Sequence, residues 1–201
     1  MTSGKKSSTT YQLTDTVGQF APGKFSIDDG YIIKSGFQYI YDLLFDFSFQ
    51  INNPGLAVNF GTLVPNVGTT QSHTVTVSSP SGHGYDIYVL ENHPLAQINS
   101  GITIPNTSCD PATPCTASSS NIWNSSAAYG FGYNASGVGT TTLFPDSTRY
   151  RPFATSGNIF MSENASARNR TATITYKVNI PGTQGAGKYE NSITFIAVPK
   201  Y

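Results

Sequence analysis

Apolar side chains fall at every second position in several separate runs of this 201-residue chain. In Phe45-Asp-Phe-Ser-Phe-Gln-Ile51, the residues Phe45, Phe47, Phe49 and Ile51 share one face, and Asp46, Ser48 and Gln50 the other. In Thr171-Ala-Thr-Ile-Thr-Tyr-Lys-Val-Asn-Ile180, the inward set is Ala172, Ile174, Tyr176, Val178 and Ile180. Successive strand side chains point to opposite sides, so this spacing predicts half-buried strands. Leu56-Ala-Val-Asn-Phe60 stays in phase through Leu56, Val58 and Phe60. His73–Val77 and Tyr85–Leu90 read as a hairpin closed by the turn Ser79–Gly84, and Tyr189–Val198 as a closing strand. No run carries a helical period. The expected fold class is all-β: an Ig-like, Greek-key β-sandwich over residues 45–201, preceded by a polar leader and N-terminal β extension over residues 1–44.

That extension holds two short β-like runs. Tyr11-Gln-Leu-Thr-Asp-Thr-Val17 and Tyr31-Ile-Ile-Lys-Ser-Gly-Phe37 each begin with Tyr, about twenty residues apart, with the turn Gly18–Gly23 between them. The spacing is an echo rather than a repeat architecture. Residues 92–160 form the long irregular middle, with the single Trp (Trp123) and the run Tyr129-Gly-Phe-Gly-Tyr133, which alternates aromatic with Gly.

Charged residues make up only 11% of the chain, so Ser, Thr, Asn and Gly wet the surface instead of ions. Eleven basic and eleven acidic residues cancel, and no basic stripe is present, which argues against nucleic acid as a partner. No run approaches the ~20 apolar residues of a membrane helix. Residues 1–10 have no apolar signal core, so an exported form is expected to have shed its signal. The two cysteines, Cys109 and Cys115, are closely spaced around two loop prolines with no His nearby. That arrangement favours a local disulfide over free thiols or half of a zinc site, and with it an oxidising, extracellular address.

Chemistry-bearing patterns are sparse. His73, His83 and His93 are ten apart and scatter over strand and turn, so they predict no metal site. Asp28-Asp29 reads as a turn before Gly30. The eleven acids are dispersed and no nucleophile or phosphate-loop motif occurs, so neither an enzyme nor a cofactor is expected. Five Asn-x-Ser/Thr triplets are present, at Asn106, Asn124, Asn134, Asn164 and Asn169.

The ordered set Leu56–Leu63, His73–Val77, Gly84–Leu90 and Gly187–Pro199, with Tyr11–Leu13, Val17–Gln19 and Ser35–Phe37 ahead of it, resembles uncharacterised secreted surface proteins of small-genome, uncultured bacteria. More distantly, the early Phe-Gly strand and the closing strand near a Pro are similar to the WxL cell-wall-binding domain. The positions of its two Trp-x-Leu motifs are occupied here by Tyr85-Asp-Ile87 and Phe195-Ile-Ala197. That likeness therefore implies the sandwich and not peptidoglycan binding.

Two functional expectations follow. The first is an extracellular structural or adhesive protein, a filament or surface-layer subunit that self-associates by β-strand donation. Its interface candidates are Tyr11, Leu13, Val17, Tyr31, Ile33 and Phe37. The second is a cell-wall polysaccharide-binding module in which Trp123, Tyr129 and Tyr133 stack on sugars.

Overall fold

The structure is a computed structural model. It describes residues 46–52, 57–98, 100–140 and 142–201, together with the backbone of four short strands nearer the N-terminus. The chain divides into two compact units, Met1–Asp46 and Phe47–Tyr201. In the first unit, β1 (Gly4–Ser7) pairs antiparallel with β2 (Gln12–Asp15), and β3 (Gly23–Ser26) with β4 (Ile32–Ser35). The echo between the two Tyr-led runs is therefore structural: each contributes the second strand of a hairpin, and each hairpin opens on Gly-Lys-x-Ser.

The second unit is an all-β sandwich. Its strands are β5 (Ser48–Asn52), β6 (Thr69–Ser79), β7 (Tyr85–Glu91), β8 (Leu95–Gln97), β9 (Thr103–Ile104), β10 (Asn121–Ile122), β11 (Gly130–Gly137), β12 (Arg149–Tyr150), β13 (Asn158–Glu163), β14 (Ala167–Asn179), β15 (Tyr189–Glu190) and β16 (Ile193–Pro199). One sheet has the order β11-β14-β6-β5 and the facing sheet β13-β7-β16, while β15-β8-β9 and β10-β12 form small satellites. All of these ladders are antiparallel.

The core follows the alternation. Val75 and Val77 of β6, Tyr85, Ile87 and Val89 of β7, and Ala172, Ile174, Tyr176 and Val178 of β14 are all buried. Face-to-face packing of two such sheets removes these side chains from water, which is the main driving force available to the fold. Phe131, Phe153 and Tyr176 stack at its centre, with ring centroids 5.0–6.3 Å apart.

Three expectations need correction. β6 and β7 do not form a hairpin: β6 pairs with β14 and β5, whereas β7 pairs with β13 and β16. The turn between them is an arch from one sheet to the other, so their apolar faces oppose each other across the core. Ala57–Phe60 keeps its alternation, with Val58 and Phe60 turned toward the core, but it joins no sheet. The closing run Tyr189–Val198 is broken at Asn191-Ser192, and its first part, β15, pairs instead with β8.

Candidate functional site: an open seam between two edge strands

The two flanks of the sandwich differ. On the flank formed by β11 and β13, the long middle segment covers the sheet edges. Phe131 N donates to Pro105 O and Thr107 N to Phe131 O, at 2.9 Å each. Tyr133 and Arg151 exchange both backbone bonds, at 2.9 and 2.8 Å, and Ser162 N on β13 reaches Gly139 O at 2.9 Å. Phe144 and Phe153 then seal the interior from that side.

Much of this cover packs on the outer face of the first sheet. Its centre is a small separate core of Cys109, Cys115, Trp123, Ala128 and Tyr150. Cys109 and Cys115 form a disulfide, with Cα atoms 5.4 Å apart. Trp123 is fully buried and donates its Nε1–H to Ala128 O at 3.0 Å. From β14, the Lys177 ammonium lies 4.7 Å from the Trp123 ring and 5.1 Å from that of Tyr150, and donates to Trp123 O at 2.6 Å. Two cation–π contacts and a charge-assisted hydrogen bond thus rivet this small core to the sheet. The glycines of Tyr129-Gly-Phe-Gly-Tyr133 have a reason here: a Cβ on Gly132 would sit 2.6 Å from Arg151 O and 2.7 Å from Thr107 Cγ2.

The opposite flank is open. There β5 and β16 are the terminal strands of their sheets, and neither carries a further strand partner among the described residues. Phe47, Phe49 and Ile51 face Ile193, Phe195 and Ala197 across the gap, with the Phe49 and Phe195 rings 6.1 Å apart. All six are only half-buried, whereas the corresponding inward residues of the central strands are fully buried. At the Ile51–Ile193 end the gap widens into a groove of about 1030 Å³ that reaches Phe131, Tyr176 and Val178. At the Phe47–Pro199 end a second hollow of about 430 Å³ opens beside His83.

His73 lies on the groove wall, on β6, between Tyr176 and Phe195, at ring distances of 5.4 and 5.9 Å. It is 9% exposed, and neither ring nitrogen has a hydrogen-bond partner among the described residues. Burial lowers the pKa of this imidazole below its ordinary value. Glu91, at the inner end of β7, is also buried; its carboxylate accepts from the Asn106 amide and, at 3.2 Å, from Asn191 Nδ2. Burial raises its pKa, against those two hydrogen bonds and the nearby His93.

The candidates from sequence separate accordingly. Leu13 and Ile33 lie in β2 and β4, while Tyr11, Val17, Tyr31 and Phe37 lie outside the described residues, as does Asp28-Asp29. Trp123 and Tyr133 are both 0% exposed and present no ring face to solvent, so stacking on sugars does not fit them. Both are needed inside, Trp123 over the disulfide and Tyr133 against Phe144 and Phe153. Tyr129 is half-exposed and donates its hydroxyl to Asn66 Oδ1 at 2.7 Å. Among the described residues no three His, Cys, Asp or Glu side chains converge on a metal position, and no helix is long and apolar enough to cross a membrane. The seam itself escaped sequence reasoning, because alternation marks which residues face inward but not which strands stand at an edge.

The sheet order β5-β6-β14-β11 matches the A-B-E-D order of an immunoglobulin-type sandwich, with β7 and β16 in the places of C and F. The place of the last strand, G, beside β16, is the seam. The class is therefore an all-β sandwich open at one flank. No family model, no curated protein and no solved structure matches the chain.

Proposed function

We propose that this chain is an extracellular structural surface protein whose copies associate by adding a β-strand at the open seam. The observation that carries this reading is the half-exposed double row Phe47, Phe49, Ile51 and Ile193, Phe195, Ala197 between two strands whose outer edges carry no further strand among the described residues. An edge strand with an apolar inward row is a template for another chain: main-chain hydrogen bonds supply affinity, and alternate side chains fill the gap. A head-to-tail contact of this kind propagates into an open polymer when its rotation does not close. The Cys109–Cys115 disulfide and the low charge content support an oxidising, external location. The burial of Trp123 and Tyr133 weighs against the alternative of a glycan-binding module, for which Tyr129 alone of the three rings is partly exposed.

Light scattering after gel filtration, with negative-stain microscopy, tests the proposal. The full chain is expected to form concentration-dependent oligomers or fibres. A Phe195→Lys variant, which places an ammonium in the seam, is expected to remain monomeric with an unchanged β circular dichroism spectrum. A monomeric full chain at every concentration would refute the reading.

A further inference from the structure

Resting on that reading, we infer that the strand added at the seam is β16 of a second copy, paired antiparallel with its own counterpart about a two-fold axis through Ile196. The three-stranded sheet β13-β7-β16 then continues into its copy as one sheet of six strands. Three observations carry this pairing.

The first is which backbone groups are free. Ser192 O accepts from Asn92 N at 3.1 Å, and Lys200 N donates to Gly84 O at 3.0 Å. Both ends of the ladder thus set the even-numbered residues as the ones bonded to β7, and bonding direction alternates along an antiparallel strand. The N–H and C=O groups of Ile193, Phe195 and Ala197 therefore point away from β7, along the open edge. Pro199, which has no N–H, falls in the same alternate set, as an edge position allows. Among the described residues no further strand meets these groups.

The second is charge. Proteins guard such an edge with Lys, a bulge or a Pro within the strand. β16 reads Ile193-Thr-Phe-Ile-Ala-Val-Pro199: it has no charged residue, its Pro stands at the end, and its register with β7 runs without a shift. β5, the other strand at the seam, is uncharged as well. Two-fold pairing sets residues near the axis against their own copies, so a charge there would meet its like. An edge built for a different partner carries charges complementary to that partner. An uncharged edge fits a copy of itself.

The third is register. Inward residues must meet inward residues, so the axis passes through a residue and not between two. Centred on Ile196, the pairing engages all seven residues of β16. Phe195 stands opposite Ala197 of the second copy, Thr194 opposite its Val198, and Ile193 opposite its Pro199. On the inward face a large ring thus meets a methyl group, the alternation of large and small that close packing favours. The free N–H groups of Ile193, Phe195 and Ala197 find acceptors in the carbonyls of Pro199, Ala197 and Phe195 of the second copy. On the outward face the exposed Ile196 and Val198 gain neighbours. Centred on Phe195 or on Ala197, two residues of each strand lose their partners, and the first choice sets ring against ring.

The test is disulfide trapping in the full chain. Ile196 faces its copy at a non-hydrogen-bonded pair, where Cα atoms are about 4.5 Å apart and within disulfide reach. Mild oxidation of Ile196→Cys is expected to give a homodimer. Thr194→Cys is expected to link to Val198→Cys in a mixture of differently tagged copies. Neither links to itself, since like positions then lie ~13 Å apart along the strand. Val138→Cys, an exposed position beyond β11 on the closed flank, is expected to give no link. Ile196→Lys and Ile196→Glu, both outward substitutions, are each expected to weaken association about fivefold or more, and an equal mixture of the two to restore it. A two-fold contact closes on itself, so light scattering is expected to level off at two copies. Four results would overturn the inference: an associating chain whose Ile196→Cys form does not cross-link, self-linking of Thr194→Cys or Val198→Cys, a Lys/Glu mixture no stronger than either variant alone, or growth past two copies that Phe195→Lys abolishes. Each of these leaves association at the seam standing with a different strand as its occupant. A full chain that is monomeric at every concentration removes both proposals.

Discussion

Two buried titratable side chains pull the stability of this protein in opposite directions with pH. His73 has a folded pKa below 6.5, so the unfolded chain takes up the proton first as pH falls. Its contribution is complete above pH 6.5 and is lost as the pH drops toward the lowered value. Glu91 has a folded pKa above 4.5, so its contribution is complete below pH 4.5 and is lost as the pH rises through the raised value. Urea midpoints are therefore expected to respond oppositely in the two variants. His73→Phe flattens the decline on acidification from about pH 7 to about pH 5, the range in which an imidazole titrates. Glu91→Gln removes a loss of stability that grows toward neutral pH. A profile of His73→Phe that superposes on the parent would show that the ring is not desolvated. Neither role was legible in the sequence. His73 reads as one of three evenly spaced histidines and Glu91 as one of eleven scattered acids, since burial of a polar residue depends on what packs over it.

At the scale of elements, the strands whose outer face carries polar side chains were legible, and those whose outer face carries small or apolar ones were not. β7 alternates cleanly in sequence and in burial, and β14 does so from Ala172 to Val178. β11 is buried at six consecutive positions, because one face meets the core and the other meets Pro105, Thr107, Arg151 and the carbonyls of Asp146 and Arg149; small residues on the outer face conceal its period. β13 carries an irregularity between Ile159 and Met161, which lets Phe160 and Met161 both turn inward and breaks the two-residue rhythm. Pairing partners were illegible for another reason: alternation assigns a face, and β6 and β7 satisfy it equally well side by side or across the core. A mutation follows from the close approach at β11. Gly132→Val forces Cβ into Arg151 O and is expected to cost about 3 kcal/mol by overpacking, read from denaturant midpoints. A loss under ~0.5 kcal/mol, the range of ordinary surface changes, would show that the outer cover yields freely.

For the whole molecule, the contrast between flanks matters most. One flank is closed by loops, two phenylalanines and the buried Arg151, whose guanidinium lies 4.8 Å from the Phe144 ring and donates to Leu143 O at 3.2 Å. The other is left to β5 and β16. The disulfide acts within the closed side. Cys109→Ser with Cys115→Ser is expected to cost about 2 kcal/mol from the short loop it closes. Association of copies at the seam, where it occurs as proposed, is expected to persist, because the bond lies outside the seam. Loss of assembly on reduction, with the sandwich still folded, would contradict that separation.

Trp123 is the chain's only tryptophan, and it sits in the annex riveted to the sheet by Lys177 rather than between the two sheets. Its emission is therefore a local reporter. In a thermal or urea scan, fluorescence will follow the release of this outer patch, while far-ultraviolet dichroism follows the strands. Where the two curves part, the gap between them measures how tightly the clasp is coupled to the barrel of side chains beneath it.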